Sequence, residues 1–283
     1  MTAVGGGPSL VVPTPELLGR AEAIARHHLK TLPVHRAVIR VPEALLIGDE
    51  ELPRPLLDVG CGDGHFAATC LHTTLDAGVD LSRPKLAEAR ATGVYRLVCA
   101  ADAVHLPYAG GAFASVVSNC ALEHIPDFDG AIAEICRVLR PGGKLVMTVP
   151  SEHFTEYLFW ARAMRALGLT SLGAAYERWF MGISDCYHAH PRDEWIRRLE
   201  HAGFQVAKWS SYLGPDAMGF FDLSHYYGAP TLLSKRLTGR WILWPGKRDI
   251  LPWERWLERR LASFAQQIAV PGGAYYFFTA VKA

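Results

Sequence analysis

The chain has 283 residues, half of them hydrophobic, with 29 Lys and Arg against 28 Asp and Glu, a formal net charge of +1. That balance gives no overall pull toward nucleic acid, and no apolar stretch reaches the roughly 20 residues that cross a bilayer. The first ten residues lack the basic and apolar regions of a secretory leader, and the six cysteines (Cys61, Cys70, Cys99, Cys120, Cys136, Cys186) form no C-x-x-C pair, so a soluble protein of the reducing cytoplasm is expected.

Thr14-Pro15-Glu16 reads as an N-cap, a first-turn proline and an early acid. The pattern predicts a helix from Pro15 to about Lys30, within a helical cap over residues 1–50. From 51 to 150 strand and helix alternate, which predicts a parallel sheet covered on both faces. The first strand enters Leu56-Leu57-Asp58-Val59-Gly60-Cys61-Gly62-Asp63-Gly64-His65-Phe66, and an alanine-bearing helix (Ala67, Ala68) leaves it. Alternate glycines permit φ > 0 and let a ligand approach main-chain N–H groups. Such a strand–turn–helix seats a nucleoside cofactor at the carboxyl end of a parallel sheet. The spacing is G-x-G-x-G, whereas the dinucleotide fingerprint would need glycine at His65. Asp58 would repel a pyrophosphate but suits a cofactor carrying an ammonium or sulfonium group.

Leu75 to Val79 reads as the second strand, ending at Asp80-Leu81-Ser82, and an acid there takes ribose hydroxyls in dehydrogenases and methyltransferases alike. Tyr95 to Cys99 is the third strand, followed by Ala101-Asp102-Ala103. Phe113 to Ser118 is the fourth, followed by Asn119-Cys120-Ala121-Leu122-Glu123-His124-Ile125-Pro126-Asp127. A helix carrying Ile132, Ile135, Val138 and Leu139 stops at Pro141-Gly142-Gly143, and Lys144 to Val149 is the fifth strand. In this order and spacing the segments resemble the class I S-adenosylmethionine-dependent methyltransferases, in particular the small-molecule group. The resemblance covers roughly residues 55–150 and resumes near 187–212.

It implies an α/β, Rossmann-like, seven-stranded and mostly parallel sheet whose last strand runs antiparallel between the fifth and sixth. It implies S-adenosylmethionine as cofactor, held residue by residue. Gly60, Cys61 and Gly62 would bring backbone to the methionine part and ribose, with Asp58 facing the amino group. Asp80 would take the ribose hydroxyls, Leu81 would pack on the adenine, and Asp102 and Ala103 would bind its edge. Asn119 and Cys120 would contact the methionine end. A tight turn alone explains Gly62, Asp63 and Gly64, but it does not require acids at three successive strand ends.

After Pro150 regularity breaks. Residues 151–190 are aromatic and rich in Leu and Met, the first of two expected lid insertions. Pro191 to Trp195 opens a helix that Gly203 closes, and Phe204 to Tyr212 is the sixth strand, so 191–213 continues the core. Residues 214–271 form the second, substrate-facing lid, and 272–283 the last strand. Both insertions are greasy (Phe154, Tyr157, Trp160, Phe180; Met218, Phe221, Trp244, Trp256), which suits either a lid with its own core or a pocket for a bulky apolar or lipid-like acceptor.

Four residues are candidates for acid–base work. His124 follows the fourth strand and either orders its loop or acts as base. His188, in Asp185-Cys186-Tyr187-His188-Ala189-His190, is expected to line the site or cap the next helix; two histidines without a third ligand argue against a metal. His225 and Tyr226, beside Tyr227, would orient or deprotonate the acceptor, or form a polar-tipped aromatic loop. Residues 231–262 carry eight basic against three acidic residues among tryptophans, either a solvated helix face or a patch for peripheral membrane contact. The expected activity is methyl transfer to an O, N or C atom of a small molecule. Its rivals are an NAD-binding oxidoreductase and a cofactor-binding module without turnover.

Overall fold

The computed structural model describes residues 9–10, 14–71, 73–239 and 252–283. The amino-terminal cap is three helices, α1 (Pro15–Gly19), α2 (Ala21–Thr31) and α3 (Val34–Gly48). The single helix expected from Pro15 is therefore broken after Gly19, a poor helix former. Eight strands follow one another across a single sheet in the order β1-β7-β8-β6-β5-β2-β3-β4. They are β1 (Ser9–Leu10), β2 (Leu56–Val59), β3 (Ala77–Asp80), β4 (Val98–Ala100), β5 (Phe113–Asn119), β6 (Leu139–Pro150), β7 (Phe204–Tyr212) and β8 (Tyr275–Lys282). Strands β2 to β8 make the expected seven-stranded sheet, and the two-residue β1 adds an edge beside β7. β8 runs antiparallel to both β6 and β7; the other pairings are parallel.

Several strand boundaries depart from the sequence reading. β3 begins at Ala77 rather than Leu75, which makes only an isolated bridge to Tyr95. β4 begins at Val98 rather than Tyr95, because the Tyr95 ring turns in over Gly78 and its hydroxyl donates to Asp58. β6 begins at Leu139, with Pro141-Gly142-Gly143 accommodated as an irregularity in its pairing with β5.

Neighbouring strand residues point to opposite faces, so each buried strand feeds two cores. Leu56, Val117, Val146 and Phe277 join one core, with Val38, Val41 and Leu45 of α3. Leu57, Val116, Leu145 and Phe278 join the other, with Ile132 and Ile135 of α6 (Phe128–Val138) and Trp195 of α9 (Arg192–His201). Burying a side chain of this size contributes about 1.5–3 kcal/mol. The remaining core helices are α4 (His65–Cys70) and α5 (Arg83–Ala91).

The stretch 151–190 holds α7 (Phe159–Ala166) and α8 (Thr170–Ile183), and 214–271 holds α10 (Pro215–Thr238) and α11 (Pro252–Phe264). α10 packs on α3 and α7, and α11 packs on α2 and α3. The insertions thus clasp the amino-terminal cap against the sheet. No described helix is long and apolar enough to cross a membrane.

Candidate active site

A cavity of about 1010 Å³ opens over the carboxyl ends of β2, β3, β4 and β5. Its floor is the glycine turn between β2 and α4. Gly60 has φ +75°, and a Cβ there would lie 2.2 Å from that of Ala121. The turn at Gly60 therefore tolerates no side chain, whatever else it does.

The three strand-end acids are each fixed by a local bond. Asp80 accepts from the Gly62 N–H at 2.9 Å and the Ser82 N–H at 2.8 Å, tying the glycine turn to the start of α5. Asp102 accepts from the Val104 N–H at 3.1 Å. Asp58 is buried and accepts from the Tyr95 hydroxyl at 2.6 Å. Burial pushes its carboxyl up to about 7; the Tyr95 bond works against this rise, while nearby Asp80 adds to it. Leu81 is 70% exposed, an apolar side chain left open at the rim.

All ten residues expected to hold the cofactor line this one cavity: Asp58, Gly60, Cys61, Gly62, Asp80, Leu81, Asp102, Ala103, Asn119 and Cys120. Of the four acid–base candidates only His124 does. It lies in a short 3-10 turn, Leu122–His124, and its Nδ1–H donates to the Asp185 carbonyl at 3.0 Å, which leaves Nε2 as the free-electron-pair nitrogen. Nε2 lies 3.8 Å from Oε1 of Glu123. Glu123 is buried, its other oxygen has no partner, and burial pushes its carboxyl up to about 7.

The other three lie elsewhere. His188 donates through Nε2 to the Ile125 and Pro126 carbonyls at 3.0 and 3.1 Å, and so pins the loop after β5 instead of lining the site. His225 stacks on His35 of α3, with ring centroids 4.1 Å apart, and meets Phe180 and Phe221 edge-on. Tyr226 shares a 3.0 Å hydroxyl contact with Tyr176. α10 packs His225 against α3 and α8, while Tyr226 stays half exposed and turns to Tyr176 of α8. Some insertion aromatics are buried likewise, while Phe159, Trp160, Trp179, Trp253 and Trp256 are exposed. Phe154, Phe180, Phe221 and Phe264 belong to the core, and only Ser184, Asp185 and Tyr187 of the two insertions line the cavity. Trp241 and Trp244 lie outside the described residues. Among the described residues no cluster of three or more His, Cys, Asp or Glu could hold a metal ion.

Sequence reasoning passed over the cap's own contribution. Arg36 and Arg40 of α3 reach the cavity, and Glu43, fully buried, sits behind Arg40. Glu43 accepts from Asn119 Nδ2 at 2.9 Å, Cys120 Sγ at 2.8 Å and the Tyr212 hydroxyl at 3.2 Å. Thr148 donates to Asn119 Oδ1 at 2.7 Å and accepts from the Cys120 N–H at 2.9 Å. Cys120 itself holds φ +45°, an uncommon conformation for a residue with a Cβ. The signal was present in the helix: Arg36, Arg40 and Glu43, spaced four and three apart, share one face of an otherwise apolar α3.

Known proteins are similar to this chain. Residues 57–147 match a family described as a methyltransferase domain. Ajmaline N-methyltransferase of Rauvolfia serpentina is 27% identical over 78% of this chain and 79% of its own length. A demethylmenaquinone methyltransferase of Mycolicibacterium gilvum is 32% identical, but over 41% of this chain and 53% of its own. Against that relative the chain spans about half its length. Among solved structures, an S-adenosylmethionine-dependent methyltransferase of Thermotoga maritima superposes with a TM-score of 0.55 at 16% identity, covering 94% of this chain and 98% of its own.

Proposed function

The chain is a class I S-adenosylmethionine-dependent methyltransferase, and on that premise we propose that its acceptor is a small, largely apolar molecule methylated at an O, N or C atom. The observation that carries this reading is the meeting of all ten cradle residues in one cavity, whose remaining wall includes Leu32, Phe66, Ile125, Pro126 and Tyr187. The same wall carries Arg36, Arg40, Asp63, Lys85 and Asp127, and the acceptor is proposed to meet its apolar members, as small-molecule pockets set placed polar groups among apolar side chains. The names of the relatives give ajmaline and demethylmenaquinone, small molecules in both cases.

The residues present fit the cofactor: main chain open to the cavity at Gly62, where a Cβ would meet no protein atom within 4 Å, an acid at each of three strand ends, and arginines in the same lining. When bound, the cofactor supplies a methyl group on a positively charged sulfur, open to in-line displacement. In the proposed division of labour, Asp80 takes the ribose hydroxyls and Asp102 with the Ala103 backbone takes the adenine edge. The apolar wall excludes water and holds the acceptor atom at attack distance. His124 Nε2 receives the acceptor proton where the acceptor has one to lose, with Glu123 beside it.

Calorimetry with S-adenosylhomocysteine, paired with methyl transfer from labelled cofactor to a panel of phenols, amines and quinols, tests this reading. Asp80→Ala removes charge-assisted bonds that contribute roughly 1.5–3 kcal/mol each. Affinity should fall about tenfold or more while the fold persists. Label should pass to acceptors that partition into organic solvent. Unchanged binding overturns the cradle assignment, and labelling confined to polar acceptors overturns the acceptor class.

A further inference from the structure

Of the three strand-end acids only Asp58 is buried, and a buried anion without a donor is costly. Among the described residues its carboxyl has one hydrogen-bond donor, the Tyr95 hydroxyl, which meets Oδ2 at 2.6 Å. That is the length of an O–H bond to an anion. Asp58 lines the cavity and Tyr95 does not, so Tyr95 reaches the carboxyl from within the protein. Its ring lies against two glycines. A Cβ at Gly64 would come within 3.0 Å of the ring, and one at Gly78 within 2.9 Å. Gly78 lies inside β3 without a positive φ, so its backbone alone does not call for glycine.

We propose that Tyr95 is the positioning residue of the ammonium subsite: its hydroxyl holds one oxygen of Asp58 so that the carboxylate presents the other to the cavity, and Gly64 and Gly78 lack side chains in order to seat its ring. The last glycine of the G-x-G-x-G turn then serves a tyrosine ahead of β4 rather than the ligand. Tyr95 also governs the charge of the subsite. Burial raises the Asp58 carboxyl and Asp80 of β3 adds to the rise, whereas the Tyr95 bond opposes it, as does Arg40 of α3 through its charge. Cys61 and Asp63 of the glycine turn are the other titratable groups that act on the Tyr95 hydroxyl. Burial and the Asp58 charge push that hydroxyl far above its ordinary value, so it stays a donor throughout the range in which Asp58 titrates.

This inference rests on the cofactor assignment above, so the experiment separates the two. Calorimetry from about pH 5.5 to 8.5 compares S-adenosylhomocysteine with methylthioadenosine, which lacks the ammonium. Tyr95→Phe keeps the ring in its seat and removes the donor. A hydrogen bond to a charged group is worth about one to two pH units, so the midpoint of the S-adenosylhomocysteine curve should move up by about one unit or more. Near pH 7 its affinity should be about tenfold below wild type, with the deficit shrinking toward pH 8.5. Methylthioadenosine should bind Tyr95→Phe and wild type alike. An unmoved midpoint, or an equal loss for both ligands at every pH, overturns the positioning role while the cofactor reading stands. Failure of wild type to bind either ligand overturns both. The seat is tested by denaturant midpoints. Gly78→Ala and Tyr95→Val should each lower the midpoint, and the double variant should lose less than their sum, because the smaller side chain clears the new Cβ. Losses that add overturn the seat.

Discussion

Asp58 carries two opposed demands, a buried carboxyl that prefers its proton and a ligand ammonium that prefers the anion. With its free-protein value raised to about 7, the group is largely protonated below neutrality, and binding the ammonium must expel that proton. Affinity for S-adenosylhomocysteine should therefore fall as pH drops below 7, by about tenfold per unit at most, and level off above it. Calorimetry in buffers of differing ionisation enthalpy should show proton release near pH 6.5, and Asp58→Asn should abolish both release and slope. A pH-independent affinity in the wild type would remove Asp58 from the ammonium site. Five cradle positions were legible as local signals, a glycine needing φ > 0 (Gly60, Gly62) or an acid near the end of a strand (Asp58, Asp80, Asp102), whereas Cys61, Leu81, Ala103, Asn119 and Cys120 came only from the family resemblance. Arg40 and Glu43 were not legible in that way. Their partners lie on β5 and β7, and only the folded sheet brings Asn119, Cys120 and Tyr212 to them. His225 misled for the converse reason: a polar residue among aromatics has the same pattern whether it faces a pocket or a neighbouring helix.

At the scale of elements, the cap helices carry an unusual load of neutral histidine. Burial lowers His28 and His35 to about 3 and His65, at the start of α4, to about 4, with neighbouring histidines adding to the effect on His28 and His35. A base held below its ordinary value contributes stability that is full above pH 6.5 and is lost as pH falls toward the folded value. Asp58 and Glu123, both raised to about 7, act in the opposite direction over the same window. Three protons against two leave a net uptake of about one on unfolding, or about 1.4 kcal/mol lost per pH unit between 6.5 and 4.5. Denaturant midpoints should decline through that window, and His28→Asn/His35→Asn should flatten or reverse the decline. A wild-type midpoint that holds steady to pH 4.5 would contradict the balance. The cofactor-facing side of α3 shares this helix with His35, so acid should loosen the cap before it disturbs the β-sheet. Helix boundaries in the cap and insertions were the least legible elements, since apolar residues there serve a helix-on-helix core that has no strand alternation to mark it.

Across the whole molecule, the insertions leave an apolar and basic surface of their own. On α11, Trp253 and Trp256 are 52% and 57% exposed, among the exposed Arg255 and Arg259 of the same helix. Other charges nearby are already paired, Lys235 with Glu88, Glu258 with Arg26 and Arg260 with Asp216. The basic surplus read from residues 231–262 thus belongs, in its described part, to a face that also presents tryptophan, a combination suited to an anionic lipid surface. Vesicles containing phosphatidylglycerol should sediment the protein and phosphatidylcholine vesicles should not, with loss of binding in Trp253→Ser/Trp256→Ser and at high salt. Equal partition to both vesicle types would dismiss the lipid surface. The last strand sets a different condition on the same chain. β8 lies between β6 and β7, and among the described residues β7 has no other strand partner but the two-residue β1. Tyr212, at the end of β7, reaches Glu43 only once that strand is docked. During synthesis, therefore, residues 275–282 must have emerged from the ribosome before the ligand edge of the cavity can close. A nascent chain that already holds every glycine and acid of the cradle is still unable to grip its ligand.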